Sequence, residues 1–308
     1  NPAFKGYLDR LALGDLYNLD LDLYDDGTCR LDGMVSTLKS AIALVDKITT
    51  VSPTHRNELL DPNLSQGLHD VLQYRKDDFV GIVNGVDVVE FNPETDPKIA
   101  KNYSAKAYKR GKQACKKAMI QRFELANPNA PTYGIVSRLT WQKGIDLILT
   151  NAHYLLSRGA NLVLLGSGEA NLERAFQGLR DAFPGQVGVY IGYSDDLAHQ
   201  IYAGLDFFLM PSLFEPCGIG QIIAQRYGAL PIVRETGGLV DTVHAEIDGF
   251  SFTNYDPSSL NAVLGRTLEV YEDKVFMDQL IKTAMNLDRS WSDSMNKYIE
   301  IYKGSMEK

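Results

Sequence analysis

The sequence predicts an α/β fold, a parallel sheet covered by helices on both faces. Two observations carry the prediction. From about residue 129 onward, short apolar runs recur at 133–136, 162–165, 187–191, 207–210 and 230–233, each bounded by Gly, Pro or Ser. Most are followed by a stretch with helical spacing, at 146–156, 172–183, 195–203 and 221–227. Unbroken apolar strands alternating with helices belong to sheets buried on both faces. In such sheets, ligands sit beyond the carboxyl ends of the strands.

The first part reads differently. Residues 35–45 predict an amphipathic helix, 47–51 and 80–83 two strands, and 98–123 a polar, Lys-rich helix. Ala126-Asn127-Pro128-Asn129-Ala130-Pro131 has the composition of a linker. Two strands are too few for a self-sufficient α/β domain. Residues 1–125 are therefore expected to be the latter part of a domain whose beginning lies outside this chain, and 126–290 a nucleotide-binding domain. Residues 291–308 are expected to form a helix returning toward the first domain, with Tyr298, Ile301 and Tyr302 at helical spacing. The chain opens Asn1-Pro2-Ala3-Phe4, without Met, which fits a chain processed, trimmed or cut from something longer.

Composition narrows the function. With 308 residues, 44% hydrophobic and 23% charged, the chain can bury a sizeable core. At about 150 residues per domain, its length predicts two domains, or one large and one partial. Acidic residues (39) outnumber Lys and Arg (31), and no basic tract occurs, so a nucleic-acid or anionic-membrane surface is not expected. An acidic protein that binds phosphate needs a local cationic cluster instead. The longest apolar stretches, such as residues 41–45, are far too short to span a bilayer. Three widely spaced cysteines (Cys29, Cys115, Cys217) argue against a disulfide scaffold and fit a reducing compartment.

Five segments at predicted strand ends carry candidate chemistry. Ser137-Arg138-Leu139-Thr140-Trp141-Gln142-Lys143-Gly144 places two cations before a helix. The Arg fork and the Lys point charge there form a phosphate clamp, although taken alone such a pair is slightly more often a solvated basic loop. Ser212-Leu213-Phe214-Glu215-Pro216-Cys217-Gly218-Ile219-Gly220-Gln221 joins a strand to a helix. Its glycines let backbone N–H groups approach an anion or sugar, and Glu215 is an acceptor for sugar hydroxyls or a counter-charge; the plain alternative is a helix cap. Nothing there makes Cys217 a nucleophile. Arg234-Glu235-Thr236-Gly237-Gly238 is a further glycine loop, and Gly166-Ser167-Gly168 is a short G-x-G, weak by itself. Gly192-Tyr193 puts an aromatic residue where it can flank a base ring, or simply pack.

Other chemistries are not written in the sequence. The five histidines make no H-E-x-x-H or clustered metal pattern, and neither G-x-S-x-G nor a P-loop occurs. Asp20-Leu21-Asp22 is formally a D-x-D, but it stands in an acidic, loop-like stretch and reads as surface charge.

Taken together, these segments resemble the bacterial glycogen synthase and plant starch synthase family. The carriers are Thr50-Val51-Ser52-Pro53-Thr54, Ile82-Val83-Asn84-Gly85-Val86-Asp87, Phe91-Asn92-Pro93-Glu94-Thr95-Asp96, the Ser137 to Gly144 segment, Phe214-Glu215-Pro216-Cys217-Gly218, Arg226-Tyr227-Gly228 and Thr236-Gly237-Gly238-Leu239. The resemblance implies the GT-B architecture of two Rossmann-like domains. It also implies retaining transfer of glucose from ADP-glucose to the non-reducing end of an α-1,4-glucan, with no metal cofactor, in bacterial cytoplasm or a plastid. By the same resemblance Arg138 and Lys143 would neutralise the leaving diphosphate. Glu215 would bind glucose hydroxyls near the reacting centre, and the N–H groups of Cys217, Gly218, Ile219 and Gly220 would hold sugar and phosphates. Gly192 and Tyr193 would flank the adenine, and Asn84 would touch the glucose from the first domain.

The family's opening K-x-G-G loop and its early donor-binding Asp are not in this chain. The family's catalytic His precedes an Asn, and Asn1 stands just past that position. Gly220 occupies a position where the family usually has Thr, and Ile223 follows Glu215 by eight residues where distant relatives carry a second Glu. The chain is therefore expected to be an N-terminally incomplete synthase, not competent alone. The alternatives are a GT-B transferase using UDP-glucose or another acceptor, and an inactive nucleotide- or glucan-binding fragment.

Overall fold

The computed structural model describes residues 4–306, so Asn1 and the family motif it borders lie outside the described residues. The chain divides into two compact units. One runs to Asn84 and includes the chain from Ser292; the other is Gly85–Trp291.

In the first unit β1 (Tyr7–Leu8), β2 (Arg30–Leu31) and β3 (Met34–Ser36) form an antiparallel sheet with β3 in the middle. β4 (Ile48–Thr50) and β5 (Phe79–Gly81) pair in parallel at the positions expected from sequence. The expected helix is Thr37–Leu44, begun by Ser36, whose Oγ accepts the N–H of Lys39 at 3.2 Å. Ser52 caps Pro53–Leu59 in the same way, with proline at the first helical position. Ile42, Leu59, Leu68, Leu72 and Phe79 pack as this unit's main core. The strands β1 to β3 were not foreseen, because two or three residues leave no alternation to detect. Asp20 and Asp22 are exposed, and Asp20 Oδ1 accepts the N–H of Asp22 at 3.0 Å, a turn on the surface. The final helix is Ser292–Met306; its Ser294 hydroxyl donates to the Val83 carbonyl, which ties it to this unit.

The second unit is a six-stranded parallel sheet of β6 (Thr132–Val136), β7 (Asn161–Gly166), β8 (Val187–Ile191), β9 (Phe207–Met210), β10 (Leu230–Arg234) and β11 (Phe250–Phe252). The strand order is β11-β10-β9-β6-β7-β8. Every residue of β7 and β9 is buried, as the unbroken apolar runs require. Helices Ile145–Leu156, Ala170–Ala182, Asp195–Gly204 and Gly220–Arg226 fall on the stretches that showed helical spacing. The short edge strand β11 was not foreseen. Because the chain winds outward from β6 in one direction and from β9 in the other, the order reverses between those two strands. That reversal leaves a crevice beyond their carboxyl ends.

The division between units falls at residue 84 and not at 125, and side-chain contacts explain why. Arg226 donates through Nε to the Phe91 carbonyl at 2.6 Å, and Tyr103 Oη donates to the Tyr227 carbonyl at 2.8 Å. On the helix Tyr108–Arg122, Lys112 and Lys116 turn inward. Lys116 Nζ donates to Asp206 at 2.6 Å and to the Ala130 carbonyl at 2.7 Å. Lys112 Nζ donates to the Tyr227 carbonyl at 2.9 Å, and burial pushes its ammonium down to about 8. The polar, Lys-rich helix is thus part of the second unit's framework. It begins ten residues later than expected, because 98–107 is held in turns: Asn102 Nδ2 donates to the Asp96 carbonyl at 2.8 Å, and Asp96 Oδ1 accepts the N–H of Lys98 at 2.8 Å. The expected linker is also packed, with Ala126 N–H bonded to the Gly185 carbonyl at 2.7 Å. Among the described residues no helix is long and apolar enough to cross a membrane.

Candidate active site

The parallel sheet brings the five glycine-containing segments to one edge, since all follow the carboxyl ends of strands. The loop after β6 pairs with the loop after β7: Leu139 N–H donates to the Ser167 carbonyl and Glu169 N–H to the Leu139 carbonyl, both at 2.9 Å. The loop after β6 is also sewn to the loop after β9. Leu213 N–H donates to the Gln142 carbonyl at 2.8 Å, and Gln142 Nε2 returns a bond to the Phe214 carbonyl at 3.2 Å. Arg234, at the end of β10, holds the same loop from the other side, donating to the Ser212 carbonyl at 2.9 Å and to that of Leu213. Gly238 closes against it so tightly that an added Cβ would lie 2.5 Å from Cys217 Cα.

Gly144 fixes the approach of these loops. It stands at φ +68° between the short turn Trp141–Lys143 and the helix Ile145–Leu156, and an added Cβ would lie 2.0 Å from the Pro211 carbonyl oxygen. Gly144→Ala is expected to lower the melting temperature, with at least about 1–2 kcal/mol from the left-handed backbone alone. It is also expected to disturb Glu215 by displacing residue 211. A melting curve unchanged from the parent would remove Gly144 from this role.

Between β6 and β9 the edge opens into a cavity of about 260 Å³, lined by Ser137, Arg138, Lys143, Tyr202, Met210 and Gly218 to Gly220 among others. Arg138 is exposed, and among the described residues its guanidinium has no ion pair or side-chain hydrogen bond. Lys143 Nζ bonds Glu215 Oε2 at 2.5 Å, and that same oxygen accepts from Ser212 Oγ at 3.3 Å. Glu215 is 7% exposed, so the pair is largely shielded from water. Removal from water strengthens a charge pair but requires that both charges stay satisfied. The site therefore offers one free cation, one cation engaged by a carboxylate, and the N–H groups of residues 218–220. First-turn N–H groups have no partner within their own helix.

Of the other sequence candidates, Cys217 is buried below the loop and contributes backbone to its packing. Gly192 and Tyr193 follow β8 at the same sheet edge but do not line the cavity; Tyr193 is 87% exposed. Asn84 is the last residue of the first unit. Sequence reasoning missed Tyr202, which looks like core between Ile201 and Ala203, and it assigned no role to Arg234 or Gln142, whose contacts depend on loops far apart in the chain. One group of donor atoms among the described residues lies close enough for a cation: Glu90, Asp195 and His199. Lys98 bonds Asp195, and its Nζ lies 3.4 Å from His199 Nε2, so an ammonium already occupies these donors.

A family model described as glycosyl transferases group 1 matches residues 117–284, more than half of the chain. The chain belongs to the glycosyl transferases group 1 family. A model of the starch synthase catalytic domain matches residues 1–74. The glycogen synthase of Exiguobacterium sibiricum is 43% identical over 98% of this chain, and that of Clostridium perfringens 45% over 98%. In both cases the chain spans 64% of the relative's length. The catalytic domain of starch synthase IV from Arabidopsis thaliana, solved bound to ADP and acarbose, is 34% identical with a TM-score of 0.93, covering 100% of this chain and 66% of that one. The fold is thus the GT-B glycosyltransferase fold, and the resemblance to glycogen and starch synthases extends over nearly the whole chain.

Proposed function

We propose that this group 1 glycosyltransferase chain carries the donor site of an α-1,4-glucan synthase, which transfers glucose from ADP-glucose to the non-reducing end of a glucan with retention, in the cytoplasm or a plastid. The observation that carries the reading is the cavity at the sheet's reversal point, with Arg138 and Lys143 on its wall and Glu215 against Lys143. Breaking a glycosyl–phosphate bond builds negative charge on the leaving diphosphate. Fixed cations and backbone N–H groups stabilise that charge without rearranging. The sugar gains positive character in the same step, and a shielded carboxylate offsets it. In this reading Gly218, Ile219 and Gly220 supply N–H groups, and Gly192 and Tyr193 flank the adenine. The ADP in the starch synthase IV structure supports the choice of base.

Calorimetric titration with ADP and then UDP tests the reading: ADP is expected to bind with clear preference. Arg138→Ala, an exposed residue with no stability role, is expected to weaken ADP by about 1.5–3 kcal/mol, the range for hydrogen bonds to charged groups. Preference for UDP would reassign the donor, and an unchanged ADP affinity in Arg138→Ala would remove the clamp.

A further inference from the structure

Tyr202 stands in the helix Asp195–Gly204 and is 4% exposed. Its ring packs 5.3 Å from Phe208 and 6.5 Å from Tyr227, as a core residue would. The hydroxyl behaves otherwise. Tyr202 is one of the residues lining the cavity that holds Arg138 and Lys143, its hydroxyl stands beside Gly220 of the same lining, and no described residue hydrogen-bonds to it. A phenol hydroxyl in a protein interior ordinarily finds a partner, because leaving it unpaired forfeits its hydration. The cavity that Tyr202 lines has a cationic charged wall, Arg138 and Lys143, so the guest that suits it is an anion. Burial also raises the phenol well above its ordinary range, which keeps the proton on oxygen and makes the group a donor.

Gly220 leaves the room for this. An added Cβ would lie 3.2 Å from Tyr202 Oη and 3.1 Å from Phe208 Cζ, tight enough to push against the hydroxyl. The Gly220 backbone is not in the left-handed region, so alanine is conformationally acceptable there.

We propose that Tyr202 is a substrate-binding residue of this cavity, its hydroxyl donating a hydrogen bond to the diphosphate of the nucleotide sugar. The assignment rests on the reading of the cavity as a nucleoside-diphosphate site. Tyr202→Phe removes one oxygen from a residue whose ring still packs, so folding is preserved and a melting curve verifies it.

Titration with ADP and with inorganic pyrophosphate is expected to show about a ten- to hundred-fold loss of affinity for both in Tyr202→Phe, the range for a hydrogen bond to a charged acceptor. Gly220→Ala is expected to lose a similar factor by displacing the hydroxyl. The double variant should then lose little more than either single one, because both act on one bond. Unchanged ADP and pyrophosphate affinities in Tyr202→Phe, with the parent chain binding both, would overturn the assignment and leave the donor-site reading standing. A loss confined to ADP-glucose would also overturn it, by moving the hydroxyl to the sugar. Failure of the parent chain to bind ADP or pyrophosphate would overturn the donor-site reading itself, and this assignment with it.

Discussion

Asp96→Ala is expected to cost about 3–5 kcal/mol of stability, the effect of removing one partner from a buried charged network. Asp96 is 1% exposed and serves three donors. Its Oδ2 accepts from Tyr227 Oη at 2.5 Å and from His199 Nδ1 at 2.8 Å, while Oδ1 accepts the N–H of Lys98. The Nδ1 of His199 faces the carboxylate, while its Nε2 lies 3.4 Å from Lys98 Nζ. The His199 ring is stacked on Phe91 at 4.8 Å, so it cannot turn to seek another partner. Burial, followed by the bond to Asp96, pushes the Tyr227 phenol well above its ordinary range. Without the carboxylate, two buried side-chain donors and one backbone N–H lose their acceptor together. A domain with 5–15 kcal/mol in total would lose at least about a fifth of its stability. Denaturant unfolding measures the loss: the midpoint should fall with the slope unchanged. Asp96→Asn, which keeps one acceptor oxygen, should fall between the two. A loss below about 1 kcal/mol in the alanine variant would mean that water enters and replaces the carboxylate.

Glu215→Gln is expected to separate catalysis from product binding. Under the donor-site reading, the carboxylate acts when positive character appears on the sugar, so glutamine keeps the shape and loses the charge. Transfer is expected to fall by about 10²–10³-fold, the cost of removing one preorganised electrostatic group. ADP affinity should hold or improve, since Lys143 is no longer paired with the carboxylate charge 2.5 Å away and its own charge is free to act on the phosphates. Lys143→Ala should instead weaken ADP binding. Transfer is to be measured in a chain extended to the full length of the curated relatives, and ADP binding in the chain described here. Equal losses of transfer and ADP affinity in Glu215→Gln would make Glu215 a ground-state binding group and not one that acts in the transition state.

The parts of the site that could be read from sequence are those whose meaning is local. Arg138, Lys143 and Glu215 stand next to strand ends and glycines, and a parallel sheet has one carboxyl edge, so placing the strands also places the loops. Tyr202 escaped notice because its neighbours Ile201 and Ala203 are buried and a tyrosine at that spacing looks like packing. The loop struts Gln142 and Arg234 bond backbone carbonyls 72 and 22 residues away, and no local pattern announces such a bond. The inward turn of Lys112 and Lys116 left no local signal for a related reason, since lysine on a polar helix normally faces water.

By itself, then, the sequence determined five of the six strands of the second unit's sheet, the helices that follow β6 to β9 and the edge at which chemistry is possible, because period and turn residues act over a few positions. The tertiary structure alone decided where the units divide, since residues 85–125 join the second unit through bonds such as that from Tyr103 to Tyr227, 124 residues apart. It also decided that Lys143 rests on Glu215, 72 residues away, and that Tyr202 lines a cavity with its hydroxyl beside Gly220. Such pairings are set by chain crossings that only folding creates, and their strength comes from the removal of water around them.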